Sequence, residues 1–156
     1  MQREAETCSI DTERRRRWLG LFAKARLSAL EASWEALGEK PGYRFIRPPE
    51  TGMVMVRARA GGVGRRFNAG EMTLSRCVVQ LDDGTTGYGY TSSRHGRHAE
   101  LAAIFDALLQ DSDRRKLLES ILVTPLQEAE VARRAARAEK AAATRVEFFT
   151  MVRGDD

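Results

Sequence analysis

Cysteine is scarce: the chain has only Cys8 and Cys77 in 156 residues. That excludes a disulfide-stapled scaffold, and no Cys-x-x-Cys or Cys–His spacing points to zinc. Long apolar runs are missing too. None approaches the roughly 18 residues that a membrane-spanning helix requires. The opening MQREAETCSIDTERRRRW has no apolar stretch ahead of its charges and does not read as a secretory signal. A cytoplasmic protein without membrane attachment is the expectation. Neither sign of charge dominates: 26 Lys and Arg face 22 Asp and Glu, a net charge of +4. Acids and bases are interleaved, so the excess favours anionic partners only mildly. The length suits one domain with a real core.

What is present reads as a single α+β domain over residues 1–156, with 1–11 expected to be poorly ordered. Asp11 or Thr12 can cap a helical region over 12–38. Trp18, Phe22, Ala25 and Ala29 form one stripe, and Leu27, Leu30, Trp34 and Leu37 form another. The shift near Arg26 implies two helices or one bent one. Gly38 suits the C′ position and Pro41 blocks continuation. Arg14 to Arg17 oppose the helix dipole, so something acidic should face them. A β meander follows over 43–91. Tyr43–Pro49 is extended, a strand runs over Gly52–Arg59, and a glycine-rich loop leads to a second strand over Met72–Leu81. The Asp83-Gly84 turn precedes a third strand over Thr85–Thr91.

Helical spacing resumes over 97–144. Leu101, Ile104 or Phe105, Leu108 and Leu109 make the first stripe. Ser112 and Thr124 are candidate caps, with Pro125 at a first helical position. The last helix has a narrow edge of Leu126, Ala129, Ala132 and Ala136, and Glu130–Arg134 supports it at i,i+4. A final strand over 145–153 would bring the antiparallel sheet to about four strands. The strand candidates are apolar on both faces: Met53 and Met55 against Val54 and Val56, Phe149 and Met151 against Phe148 and Val152. Either this chain's helices cover both sides, or another subunit covers part of the sheet.

Several motifs could carry chemistry. Gly61, Gly62 and Gly64, followed by Arg65 and Arg66, could cradle a phosphate on backbone N–H groups or simply form a flexible hairpin loop. The loop lacks the GK[ST] of a P-loop and the strand-to-helix setting of a dinucleotide fingerprint. Arg57, Arg59, Arg76 and Arg94 could line an anion site, or they could be solvated strand arginines. His95, His98 and Glu100 do not share a helix face, and Gly96 interrupts them, so no metal site is expected. His98 reads as a structural helix-terminus histidine or a general acid–base, and Glu50 as a turn residue or a catalytic carboxylate. Cys77 lies within a strand pattern and reads as a core thiol. No nucleophile elbow or kinase signature is present.

Taken in order, these segments resemble the G-subunit family (PhnG) of the bacterial carbon–phosphorus lyase system. The resemblance is carried by Arg17-Trp18, Glu50-Thr51-Gly52, Gly61-Gly62-Val63-Gly64 with Phe67, and the run Ala69 to Arg76. It continues through Asp83-Gly84 to Gly87-Tyr88, His98-Ala99-Glu100, Asp106 to Gln110, and the terminal EFFTMVRGD. His95 is outside the family pattern. The resemblance implies a subunit in organophosphonate catabolism. It would support formation of α-D-ribose 1-methylphosphonate 5-triphosphate from ATP and methylphosphonate, with release of adenine. Its implied partners are the H, I and J subunits, and L and K. The iron–sulfur cluster and S-adenosylmethionine would belong to other subunits, with no cofactor on this chain. It supplies no catalytic residue for the G subunit.

Three classes of function follow. The preferred one is a subunit of a synthase complex without stand-alone activity, with Arg57, Arg59, Arg65 or Arg76 contributing to a shared anion site. The second is a self-sufficient nucleosidase or transferase using His98, Glu100 or Glu50. The third, a nucleic-acid-binding protein, lacks a continuous basic surface and any helix-turn-helix, RNA-recognition or zinc-finger signature.

Overall fold

The computed structural model describes residues 2–61 and 63–144, with side chains from residue 12 onward. Helix α1 spans Gln2–Phe22, so Asp11 and Thr12 lie within it rather than at its N-terminus. Arg26, in extended conformation, separates α1 from α2, Leu27–Ala36. The shifted stripe therefore marks a true break. Trp18, Phe22, Leu30 and Trp34 are buried, as their spacing predicts. Both helices converge on Phe105, whose ring centroid lies 6.2 Å from that of Phe22 and 6.4 Å from that of Trp34. α2 closes with the Leu37 N–H on the Trp34 carbonyl at 3.3 Å, and Gly38 does not take the left-handed conformation expected of it.

Three antiparallel strands follow in the order β1-β2-β3: β1 Tyr43–Arg59, β2 Arg66–Leu81 and β3 Thr86–Thr91. The fold class is α+β as expected, with three described strands; the fourth, expected over 145–153, lies outside the described residues. β1 is longer than the expected Gly52–Arg59 because the ladder does not end at Pro48 and Pro49. Register shifts around Arg47 and Glu50 absorb the prolines, which have no N–H to give. β2 also starts earlier than expected, at Arg66, and the loop shortens accordingly. The Asp83-Gly84 turn forms as read. The Thr85 N–H donates to the Asp83 carboxylate at 2.8 Å, and this bond holds the carboxyl below its ordinary range.

Helix α3, Gly96–Leu108, is the centre of the core. Leu101 to Leu109 are all buried, which is why the segment is apolar nearly all round. α1 and α2 pack on one side of it and the sheet on the other. Its contact with β3 is a backbone approach. Gly87 and Gly89 face Ala99, Ala103 and Ala107, and a Cβ on Gly89 would lie 1.9 Å from the Ala99 carbonyl oxygen. Neither backbone can retreat without opening the core. Gly89→Ala should therefore cost about 2–3 kcal/mol by overpacking. Its thermal midpoint should fall by roughly 5–10 °C. An unchanged midpoint would contradict this packing.

The remaining helices are α4, Ser112–Leu118, and α5, Thr124–Ala143, joined by a π turn over Glu119–Val123. Asp111 caps α4 rather than Ser112, its side chain accepting from the Asp113 N–H. Thr124 is not a cap, because the helical path runs through it. Pro125 cannot donate to the Ile121 carbonyl, and the wider turn accommodates that gap. Ser33 Oγ approaches the freed oxygen at 3.5 Å. Of the expected alanine edge, only Leu126 is buried; Ala129, Ala132 and Ala136 are exposed. The Glu130–Arg134 pair forms at 2.9 Å.

Candidate functional site

β3 pairs with β2 only from Ser75 to Gln80. Beyond that point the β1–β2 hairpin continues as a two-stranded arm, from Gly52 with Leu74 to Arg59 with Arg66. Alternation along the strand puts Met53 and Met55 on one face and Val54 on the other. All three are exposed, Met53 by 70%, and so are Phe67 and Met72. α3 covers one face of the three-stranded part. Among the described residues no helix covers the arm, and Tyr88 and Tyr90 are exposed on the outer face of β3. A bare two-stranded ribbon is marginal in water, and contiguous exposed apolar surface marks an interaction site.

The arm also carries most of the expected anion-binding residues. Arg57, Arg59 and Arg65 are exposed at its distal end, and Arg59 reaches the Gly64 carbonyl at 3.4 Å. Gly61 takes the left-handed conformation (φ 56°), and the Gly64 N–H donates to the Ala60 carbonyl at 2.8 Å, which closes the hairpin. Gly62 lies outside the described residues. Arg76 sits apart, at the root of the arm. Its Nε donates to Glu50 Oε2 at 3.0 Å and its Nη2 lies 2.9 Å from the same oxygen in an ion pair, and the carboxylate favours the charged guanidinium. The pair lines a cleft of about 210 Å³ with Thr51, Leu74 and Tyr90.

Glu50 lines the cleft at the root of the arm, whereas His98 lies against a different depression, between the α1–α2 junction and the β3–α3 loop. His98 is buried, with Nε2 3.0 Å from the Phe22 carbonyl. Glu100 accepts from the Tyr43 hydroxyl at 2.5 Å and pairs with Arg97 at 2.8 Å. Burial first, and then this bond, raises the Tyr43 pKa. Cys77 is buried as expected, and desolvation pushes its thiol up to about 11. Among the described residues no group of three or more His, Cys, Asp or Glu side chains could hold a metal ion.

Burial holds the His98 pKa below its ordinary value, with the Phe22 carbonyl opposing. The folded state then binds this proton less readily than the unfolded chain. The resulting stability is fully present above the unfolded value of about 6.5 and is lost as pH falls below it. The thermal midpoint of His98→Gln should fall less between pH 7 and 5 than that of the parent chain. Parallel curves would contradict this assignment.

The strongest polar cluster is one that the sequence reading did not assign. Asp106, wholly buried on α3, accepts four hydrogen bonds. Arg15 gives two, from Nε at 3.0 Å and Nη2 at 2.7 Å; Trp18 Nε1 and the Tyr88 N–H each give one at 2.9 Å. The Arg15 guanidinium also lies 5.4 Å from the Tyr88 ring centroid. Arg14 to Arg17 do not stand at the start of α1 as expected, because the helix begins at Gln2 and the dipole argument for a facing acid does not hold; Arg15 alone of the run meets Asp106. An aspartate inside an otherwise apolar stretch, Leu101 to Leu109, was the signal available in the sequence.

Residues 13–154, which include the arm and the Asp106 cluster, match the family described as "Phosphonate metabolism protein PhnG". A relative from Rhizobium meliloti (strain 1021) carries the name "Alpha-D-ribose 1-methylphosphonate 5-triphosphate synthase subunit PhnG". It is 46% identical over 144 residues, a span of 91% of this chain and 90% of the relative. A match along nearly the whole length, in agreement with motifs that run in order from Arg17 to Asp155, leaves one conclusion: the chain belongs to the PhnG family of phosphonate metabolism proteins.

Proposed function

We propose that this chain is a non-autonomous subunit of a synthase that makes α-D-ribose 1-methylphosphonate 5-triphosphate, the product in its relative's name. The observation that carries this reading is the arm. A chain that projects Met53, Val54, Met55, Phe67 and Met72 into solvent leaves to another subunit the cover that its own helices do not provide. In this reading the partners are the H, I and J subunits, with L and K, in the cytoplasm. ATP and the phosphonate are substrates of the assembly, and the iron–sulfur cluster and S-adenosylmethionine reside elsewhere in the system. Arg57, Arg59 and Arg65 then enter the interface with the arm, where their charge suits a polyphosphate. Arg76 already has Glu50 as a partner and would have to exchange it to join them.

Co-expression with the H and I subunits, followed by size-exclusion chromatography and an assay for adenine release, tests the reading. Co-migration, with adenine released only by the assembly, is the expected result. A compact solitary chain that releases adenine unaided would overturn it.

A further inference from the structure

We infer that this chain carries a second anion site, for a phosphate group, in the depression between the α1–α2 junction and the β3–α3 loop. The depression measures about 600 Å³ and is lined by Lys24, Arg26, Ser28, Ser92, Arg94 and His95 among others. It collects cations from two segments far apart in sequence, and no carboxylate lines it. Arg26 and Arg94 are exposed and form no ion pair among the described residues. Lys24 comes only within 4.0 Å of Glu130, which already serves Arg133 and Arg134.

The placement of these cations argues for an anion between them. Arg26 is the N-cap residue of α2 and His95 that of α3. Neither helix has a side-chain cap, and neither has an acid in its first turn. Arg26 thus stands at the positive end of the α2 dipole, and Arg94 lies one residue before the N-cap of α3, an arrangement destabilising unless something anionic joins them. The nearby carbonyls do not supply it. Ala23 O already accepts from the Ser92 N–H and hydroxyl, and Phe22 O faces His98 Nε2. The β3–α3 loop is fixed from beneath and within: buried Ser75 donates from Oγ to the Ser93 carbonyl at 2.8 Å, and the His95 N–H donates to Ser93 Oγ at 3.0 Å. Guanidinium forks, hydroxyls and uncapped N–H groups together match a phosphate's oxygens. A carboxylate would leave part of this donor set unused.

The test reads Lys24 directly, so it does not depend on the synthase reading or on any other nucleotide site. The full-length chain, alone or in the assembly in which it purifies, is acetylated with a limiting amine reagent. Inorganic triphosphate, ATP or chloride of matched ionic strength is added, and each lysine is quantified by peptide mass spectrometry. Triphosphate and ATP should protect Lys24 but not Lys116 on α4, and chloride should protect neither. Whichever protects at the lower concentration identifies the source of the phosphate. Arg26→Gln with Arg94→Gln should raise the half-protecting concentration at least about tenfold, with an unchanged far-ultraviolet spectrum. If the double variant does not fold, the two single variants are read in the same way. Equal protection by chloride, protection that survives in the variants, or a Lys24 already unreactive in the absence of ligand would each overturn the site.

Discussion

Asp106→Ala should cost about 3–5 kcal/mol, a large share of the roughly 5–15 kcal/mol that keeps a domain folded. The carboxylate is wholly buried and takes four donors from three directions: the α1 side chains Arg15 and Trp18, and the β3 backbone at Tyr88. Truncation leaves the Trp18 indole and the Tyr88 N–H without an acceptor in a dry setting and strips Arg15 of its counter-charge. Asp106→Asn should be nearly as damaging despite its equal size. Whichever carboxylate oxygen becomes an amide then points a donor at two donors, since Oδ1 serves Arg15 and Trp18 while Oδ2 serves Arg15 and Tyr88. Chemical denaturation read by tryptophan fluorescence measures both variants. A loss below about 1 kcal/mol for either would mean that the cluster is dispensable.

The chemistry of that cluster explains what the sequence made legible and what it hid. Core helices were readable because Trp18, Phe22, Leu30 and Trp34 repeat at helical spacing, and burial obeys that period. The β2–β3 turn was readable because Asp83 and Gly84 are chosen for local reasons. Asp106 was harder, since its two side-chain partners lie 88 and 91 residues away. The expected acid opposite Arg14 to Arg17 rested on a helix start that lies instead at Gln2, so the Arg15–Asp106 contact had no sound signal on the arginine side. Strand bounds failed where prolines suggested an end and the ladder tolerated a bulge instead. Capping at Ser112 and Thr124 failed because Asp111 was the better acceptor and because a π turn carried the helix past Pro125. Among the candidate site residues, Glu50 and Arg76 were both named, but their pairing was not foreseen, because it depends on a cross-strand register that a bulge sets. Lys24 and Arg26 carried no anion-site signal, because two cations beside a helix break look like solvated charge; only the fold brings them to Arg94.

The arm makes a prediction in which two observables move in opposite directions. Met53→Asp together with Met55→Asp places two charges on one face of β1 at residues that are 70% and 52% exposed. If these methionines belonged to the core of this chain, the variant would unfold, because a buried unpaired carboxylate is not tolerated. The structure places them in solvent, so the isolated variant should keep the parent's thermal midpoint within about 0.5 kcal/mol of stability. It should also be the more soluble of the two, since an exposed apolar edge has been broken by charge. In the assembly the same change should be severe. Apolar side chains at the centre of an interface carry about 2 kcal/mol or more each, so a double substitution by charge should weaken association by a hundredfold or more. Light scattering of the isolated variant, beside co-elution with the partner subunits, reads both effects in one preparation. Arg57→Ala and Arg59→Ala on the same strand should slow association and flatten its salt dependence far more than they weaken the final complex, because charges at a rim steer encounter. A doubly charged arm that still co-elutes at full stoichiometry would show that the subunit docks by some other surface.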